Sequence, residues 1–287
     1  MIAHPMSWQE EEPPASPVLC GLGETPLIID MPNGYSDQRR VLASIDPDSP
    51  DAAPVAAALR AIAAALDAGT ETTLGLTELT EAQRSLLLDT LGRGEVSAEL
   101  TGLGRYHVAE TGLTGVWRVA RLAVDSGAGA EAPVEHIEVA TIPTVVRAAA
   151  DHGTLTKLVL PAEVPPGTMN AMPVLAEVQT RMMEWQHGQP NHVISLSLLP
   201  MSDPDMALLK QVLGLGPVEI VSRGYGDCRV TATAHRHVWS VQFTNASDKV
   251  ILDTIEIGTV PRAALAAPED FADSARHLRR VLDAYFV

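Results

Sequence analysis

The stretch Leu91–Val96 (LGRGEV) recurs as Leu213–Val218 (LGLGPV), 122 residues further along the chain. The same spacing pairs the Val-Trp dipeptide that begins at Val116 with the one that begins at Val238. Across residues 74–121, 15 of 48 positions are identical to the residues 122 positions later, whereas unrelated segments would share only a few. The sequence therefore predicts an internal duplication, which has to be recognised before any element is assigned.

The duplication extends beyond this core at slightly different spacings. Residues 137–143 match residues 255–261 at a spacing of 118, so the first copy carries four extra residues, for which the Gly- and Ala-rich stretch 126–130 offers a loop. Upstream, Pro54 and Val55 match Pro173 and Val174 at a spacing of 119. These matches predict four segments: a Pro- and acid-rich N-terminal segment at 1–53, a first repeat unit at 54–151, a linker at 152–172 and a second repeat unit at 173–287.

Hydrophobic periodicity and end signals give each copy the same order of elements. Helices are predicted at 54–68 and 173–187, each opening with proline and followed by glycine. Alternating leucines and isoleucines predict strands over Leu74–Leu79 and Ile194–Leu198. Thr80 and Ser202 are the expected N-caps of the next helices. Four short strands follow in each copy, and Pro143 and Pro261 are expected to start further helical segments.

We therefore predict an α+β fold, built as a tandem duplication of an α-β-α-β-β-β-β-α unit with largely antiparallel sheets. The two units are expected to superpose through a pseudo-two-fold axis or by packing of their sheets. Trp117 and Trp239 should occupy equivalent positions and be mostly buried. The strand order does not follow from the sequence.

Charge and composition restrict the classes of function. The 287 residues include 20 basic and 36 acidic side chains, a net charge of −16, and 46% are apolar. Such a chain should fold into a globular structure and is repelled by nucleic acid and by anionic membranes. The acidity favours a basic partner, or serves only to keep the protein in solution. The N-terminus lacks the features of a signal peptide and no apolar run is long enough to cross a bilayer, so we expect a soluble cytoplasmic protein.

Motifs for catalysis, metals and cofactors are missing from the sequence. There is no G-x-S-x-G, no P-loop and no dinucleotide-binding glycine fingerprint, so we predict no catalytic residues and no enzyme. The only cysteines, Cys20 and Cys228, form no CxxC motif and no disulfide framework. His235 and His237 could face the same way and grip an ion, but no third ligand is marked, so we predict a solvated turn, no metal site and no cofactor.

The two copies also differ at the glycine-containing turn Arg223–Arg229 (RGYGDCR), which replaces Thr101–His107 (TGLGRYH). Both turns keep their glycines, which suit positive φ angles. The other side chains differ, and Arg and Tyr are frequent anchors of protein interfaces. This comparison predicts a partner-binding surface made of Arg223, Tyr225, Asp227, Cys228 and Arg229. The alternative is an ordinary turn with an internal Arg223–Asp227 pair and a small buried cysteine.

Several of these motifs together resemble one family. They are Leu199-Pro200-Met201, Leu213-Gly214-x-Gly216-Pro217-Val218, Ser222-Arg223-Gly224-Tyr225-Gly226-x-Cys228-Arg229, Trp239 and Ile251-Leu252-Asp253-Thr254-x-Glu256, preceded by Pro166-Gly167-x-Met169-Asn170-Ala171. The combination is similar to the HupH/HyaF/HoxQ hydrogenase-expression proteins, densely from about 165 to 275 and only thinly over the first 50 residues. On this resemblance the second repeat is a HupH-like C-terminal domain, and Met169 and Asn170 join the partner-binding residues.

The resemblance implies a function that composition and spacing do not give. Members of the family help to make uptake [NiFe]-hydrogenase, and are regarded as helpers of its iron–sulfur small subunit before twin-arginine export. We therefore expect a maturation chaperone whose partner is the small-subunit precursor, with other maturation factors as further candidate partners. Self-association is possible. Two alternatives stay open: an iron–sulfur cluster carrier or scaffold that uses Cys228, and an unrecognised thiol enzyme.

Overall fold

The computed structural model describes residues 42–122, 134–224 and 226–286. Its helices are α1 (Ala52–Ala68), α2 (Glu81–Leu91), α3 (Thr144–Asp151), α4 (Ala171–Glu184), α5 (Asp203–Leu213) and α6 (Phe271–Tyr285). Its strands are β1 (Thr72–Gly75), β2 (Val96–Leu100), β3 (Tyr106–Glu110), β4 (Val116–Arg121), β5 (Val134–Val139), β6 (His192–Ser195), β7 (Val218–Gly224), β8 (Gly226–Ala232), β9 (Val238–Thr244) and β10 (Val250–Ile257).

The ten described strands form one continuous sheet in the order β1-β5-β4-β3-β2-β7-β8-β9-β10-β6. Every neighbouring pair is antiparallel. The prediction of an α+β fold with antiparallel pairing is therefore confirmed. The copies are joined through the pairing of β2 with β7 and do not stack as two separate sheets.

The register between β2 and β7 makes the arrangement of the copies nearly symmetric. Ala98 pairs with Ile220, its own equivalent 122 residues later, while Val96 pairs with Ser222 and Leu100 with Val218. Val218 is the equivalent of Val96, and Ser222 is the equivalent of Leu100, so the two pairs on either side of Ala98–Ile220 exchange places when the copies are exchanged. An antiparallel pair with this register has a local two-fold axis between Ala98 and Ile220, and the strand order reads the same from both edges of the sheet.

The repeated LGxG stretch turns the chain from a helix into these central strands. Gly92 and Gly214 cap α2 and α5 at φ angles of 70° and 63°, which favour glycine. An added Cβ on Gly94 would lie 2.4 Å from the Thr111 carbonyl oxygen, and one on Gly216 would lie 2.1 Å from a backbone oxygen in the same position of the second copy. Only glycine allows this close approach, so both copies keep the motif.

The C-terminal helix covers one copy and not the other. α6 packs on α1, where Arg279 forms an ion pair with Asp67, and its apolar residues belong to the larger hydrophobic core. In α1, Ala58, Ile62 and Ala65 are buried. Their equivalents in α4 are polar residues, namely Glu177, Arg181 and Glu184. Burying those charges would cost free energy, so only the first copy offers α6 an apolar surface to pack against.

Several predicted details are confirmed. Thr80 and Ser202 form complete capping boxes with Gln83 and Asp205. Trp117 and Trp239 lie at equivalent positions of β4 and β9, with exposures of 1% and 3%. Gly69 ends α1 in the left-handed conformation.

Three predicted boundaries in the second copy are wrong. The strand expected over Ile194–Leu198 ends at Ser195, after which residues 196–198 form a 3-10 turn. The helix expected to reach residue 187 ends at Glu184. Pro261 opens only the short 3-10 turn Arg262–Ala264, and the last helix starts later, at Phe271. The strand expected over Leu74–Leu79 in the first copy is also too long, because β1 ends at Gly75. The two helix boundaries differ because tertiary packing differs between copies that share the local pattern.

The connection between the copies has no helix or strand between residues 152 and 170, in agreement with its prolines. It is nevertheless held in place, because Leu155 bridges to His235 and Leu158 is buried. The four predicted segment boundaries stay predictions, and residues 1–41 of the N-terminal segment lie outside the described residues. Within the described ranges, no helix has the length and apolarity that a membrane span requires.

Candidate functional site

The predicted turn of the second copy is the hairpin that joins β7 to β8. Arg223 pairs with Asp227 across the hairpin, and the Arg223 amide donates to the Glu95 carbonyl of the first copy at 3.0 Å. The side chains of Arg223 and Asp227 are exposed. Tyr225 lies outside the described residues. The backbone of the hairpin is therefore anchored at the junction of the copies while Arg223 and Asp227 reach solvent.

The ion pairing of the hairpin differs from the internal pair considered above. Among the described ion pairs, none joins Arg223 to Asp227, and Arg229 instead pairs with Glu219 on β7. Both members of that pair are about half exposed, so it contributes at most about 1 kcal/mol to stability. The Arg229 guanidinium therefore lies on the surface of the sheet, and separating it from Glu219 would cost little free energy.

Cys228 lies on the opposite face of β8 from its two neighbours. Its side chain is buried, with 7% exposure, whereas Asp227 and Arg229 are exposed. Burial, followed by the nearby Glu256 carboxylate, raises the pKa of the Cys228 thiol to about 11. A buried thiol that stays protonated near neutral pH is a poor nucleophile and a poor metal ligand. Cys228 therefore contributes to the core, and the structure does not bring it to the surface that Arg223, Asp227 and Arg229 form.

Met169 and Asn170 lie at the start of α4, far along the chain from the hairpin. The backbone N–H groups of Met169, Asn170 and Ala171 all donate to Oδ1 of Asp205, at 2.8–2.9 Å. Oδ2 of Asp205 accepts from the N–H and the hydroxyl of Ser202. One carboxylate therefore satisfies the first N–H groups of α4 and caps α5 as well.

The environment of Asp205 explains why an acid can be fully buried here. Burial alone would raise its pKa, but the hydrogen bonds from Ser202, Ala171 and Met169 outweigh it and hold the pKa of Asp205 far below its usual value. With its backbone fixed in this way, Met169 presents a side chain that is 65% exposed, and Asn170 donates from Nδ2 to the Pro200 carbonyl at 2.9 Å. These hydrogen bonds bring Met169 beside the loop 198–202.

Exposed large apolar side chains are distributed unevenly along the chain. Of the fifteen exposed large apolar side chains within the described residues, eight lie in the second copy, five in the linker at 152–172, and two, Leu103 and Val134, in the first copy. Leu215 and Leu198 are the most exposed, at 87% and 85%, and Ile251 is 61% exposed. Contiguous exposed apolar groups are typical of protein-binding surfaces. The second copy therefore carries the better candidate for a partner-binding surface.

The two histidines of the next turn do not face the same way, and the turn is not simply solvated. His235 is buried and its Nδ1 lies 3.1 Å from the Leu213 carbonyl oxygen. His237 adopts a φ of 63° and contacts Trp185, with ring centroids 4.6 Å apart and ring planes inclined by 46°. Within the described part of the chain, no group of three or more His, Cys, Asp or Glu side chains is arranged to hold a metal ion.

His237 and Trp185 instead line a crevice of about 300 Å³ at the junction of the two copies. The first copy contributes Arg147 and Asp151, while the floor includes Trp239. Burial lowers the pKa of His237, and Asp151 opposes this effect. The sequence analysis missed this crevice because its residues come from five separate segments. The sequence pointed to the crevice only through Trp185, His187 and His237, which the first copy does not have at the equivalent positions.

Comparison with known proteins bears on both copies. The family model for the C-terminal conserved region of the HupH hydrogenase expression protein matches residues 51–154 and again residues 168–285. The chain belongs to the HupH family of hydrogenase expression proteins. The HupH-like region is therefore present twice, and the expectation that confined it to the second repeat is too narrow.

Individual relatives agree with this assignment. The hydrogenase expression/formation protein HupH of Rhizobium leguminosarum bv. viciae is 46% identical over 74% of this chain and 73% of the relative. HoxQ of Cupriavidus necator is 41% identical over 78% and 79%, and the hydrogenase-1 operon protein HyaF of Escherichia coli is 32% identical over 72% and 70%. A solved HupH from Thiobacillus denitrificans is 29% identical, with a TM-score of 0.37 over 40% of this chain and 96% of that one.

Proposed function

We propose that this protein is a maturation chaperone for a [NiFe]-hydrogenase. It would bind the precursor of the iron–sulfur small subunit in the cytoplasm before twin-arginine export, and would not itself be an enzyme. Membership of the hydrogenase expression family supports the pathway. The observation that carries the binding role is the concentration of exposed apolar side chains on the linker and the second copy, since a folding or assembly partner needs such a surface.

The acidic charge supports the same choice of partner class. A net charge of −16 speeds encounter with a basic polypeptide, and its influence should fall as salt is added. The two alternatives that use Cys228 receive less support. A cluster carrier and a thiol enzyme both need an accessible thiolate, whereas Cys228 is buried with a pKa raised to about 11.

The proposed function is tested by co-expressing the tagged chain with the precursors of both hydrogenase subunits. We expect the small-subunit precursor to co-purify at a defined stoichiometry and the large-subunit precursor not to do so. Raising the salt concentration should weaken the interaction. Co-purification of the large subunit alone, or of neither precursor, would contradict the proposal.

The contribution of the hairpin is tested separately by Tyr225→Ala combined with Arg229→Ala. If the hairpin contacts the partner, capture of the precursor weakens while the melting temperature hardly changes. Glu219→Gln is the matched control, because it also breaks the Arg229–Glu219 ion pair but leaves Arg229 in place. Unchanged capture by the double variant would assign the hairpin a structural role only.

A further inference from the structure

The opposite edges of the sheet, formed by β1 in the first copy and by β6 in the second, are followed by turns with different side chains. In the first copy, Leu76 follows β1 and continues along the edge, since its N–H donates to the Glu135 carbonyl of β5 at 3.3 Å. Its side chain enters the core and is only 1% exposed. The first copy therefore closes its edge with an apolar residue that serves folding.

The sheet register matches Leu74 with Ile194, so the counterpart of Leu76 is Leu196, which is buried in the same way at 6% exposure. Leu198 lies at the position of the exposed Glu78 and is 85% exposed. The chain leaves the edge after Ser195 in a 3-10 turn. Within this turn, Oγ of Ser197 accepts a hydrogen bond from the Asp253 N–H at 2.7 Å. A side-chain hydrogen bond thus holds the turn in a position that turns Leu198 outward.

The neighbouring strand leaves further apolar side chains uncovered. β6 pairs with β10 only from Thr254 to Ile257, and a bulge lies between Val250 and Leu252. As a result Ile251 and Leu252 are 61% and 37% exposed. Bulges commonly redirect side chains at functional edges of sheets. We call Leu198, Leu199, Ile251 and Leu252 the apolar step.

The apolar step is continuous with the residues fixed by Asp205. Leu199 precedes Pro200, whose carbonyl accepts from Asn170, and Met169 is the next exposed apolar side chain beside that bond. None of these exposures helps the fold, because a leucine or isoleucine side chain stabilises a fold when it is buried. At the position of Leu198 the first copy has the exposed Glu78, so folding does not require an apolar side chain there.

We propose that the apolar step is the docking site for a basic segment of a partner polypeptide that carries at least two large apolar side chains. This inference rests on the proposed function and names the surface that performs it. The apolar side chains select apolar groups, and the net charge of −16 selects a basic segment. The same charge disfavours a second copy of this chain as the occupant, because two such chains repel each other.

The test compares two double variants of the full chain. Leu198→Gln with Ile251→Gln alters the apolar step, and Leu103→Gln with Val134→Gln is the matched control, since it replaces two exposed apolar side chains of the first copy without changing the net charge. We expect the first variant to bind the purified small-subunit precursor at least about ten-fold more weakly and the control to bind normally. Equal binding by both variants would overturn the inference and leave the proposed function intact.

A second probe separates failure of the inference from failure of the proposed function. A synthetic peptide of leucines and lysines is added to methyl-labelled protein, and we expect saturable shifts of the Leu198 and Ile251 methyl signals that the first variant loses. This outcome supports the inference even if the precursor does not bind. If those signals do not move, or if the wild-type chain is a dimer that the first variant converts to monomers, the stated occupant is wrong.

Discussion

Ala98 pairs with Ile220 at the centre of the sheet, and each is the equivalent of the other in the duplicated sequence. Because the axis between them relates the two copies, corresponding residues experience the same local fold in different tertiary surroundings. Pairs of equivalent residues therefore provide matched controls within one molecule. The predictions below use this property or the unusual ionisable groups of the fold.

The equivalent tryptophans should differ in how much they stabilise the fold. Trp117 donates from its indole to the Ala140 carbonyl at 2.9 Å, and Trp239 has no such bond to a described residue. Replacement of either by phenylalanine removes similar buried volume, but Trp117→Phe also leaves a buried carbonyl unpaired. We expect Trp117→Phe to lower the free energy of unfolding by about 1–2 kcal/mol more than Trp239→Phe does. Urea denaturation of both variants measures the difference, and equal losses would refute this account.

The buried carboxylate of Asp205 should dominate the stability of the corner near Met169. Asp205→Asn keeps the shape but points an amide donor at N–H donors, so we expect the melting temperature to fall by about 5 °C or more. Hydrogen exchange should accelerate at residues 169–171. Because the folded-state pKa is lowered, the stabilisation exists above the ordinary pKa of about 3.9 and is lost as pH falls below it. The variant should therefore lose less stability than the wild type in acid.

The reference for that measurement is Asp203→Asn in the same first helical turn, where the carboxylate is exposed. It should change the melting temperature by much less. Similar effects of the two variants, or unchanged exchange at residues 169–171, would show that the hydrogen bonds to Asp205 are not what holds α4 and α5 together.

Glu110 should destabilise the fold at alkaline pH. Burial raises its pKa to about 7, against the effect of the Gly115 N–H that donates to it at 3.1 Å. A raised carboxyl pKa means that the folded state binds the proton more tightly, so stability falls as pH rises from about 4.5 to 7. Glu110→Gln keeps the acceptor and removes the charge, and should raise the free energy of unfolding at pH 8 by about 1–2 kcal/mol.

The gain from Glu110→Gln should shrink as the pH is lowered towards 5, because the wild-type carboxyl is then protonated in the folded state. Glu78→Gln, at an exposed site of the first copy, should show no such trend. Denaturation series at several pH values test this, and a gain that does not depend on pH would argue for a packing effect instead.

Cys228 should be almost inert in the folded protein. With a pKa raised to about 11, its thiolate fraction at pH 8 is about two orders of magnitude below that of an ordinary cysteine, and burial slows it further. Iodoacetamide labelling of a Cys20→Ser chain, before and after unfolding in urea, measures this ratio. Rapid labelling of the folded protein would revive the cluster-carrier and thiol-enzyme hypotheses. We also expect Cys228→Ala to retain capture of the precursor.

Local sequence determined a large part of this molecule. The repeated LGxG stretch marked the duplication because glycine is required where the backbone passes 2.4 and 2.1 Å from a would-be Cβ, and that requirement is visible in the residues themselves. The caps at Thr80 and Ser202, the paired burial of Trp117 and Trp239, and the antiparallel α+β class followed from short-range patterns in the same way.

Tertiary structure alone decided how the copies differ. The leucine pattern predicts a strand through Leu198, yet the chain leaves the sheet after Ser195 and the Leu198 side chain lies in solvent, while Leu196 is buried. Likewise, only the fold brings the Asp205 carboxylate to the backbone of Met169 and packs α6 on α1. Local pattern fixes which way a residue can point, but whether anything covers it depends on segments that are distant in sequence. The candidate surface therefore lies where the second copy has apolar side chains that remain exposed.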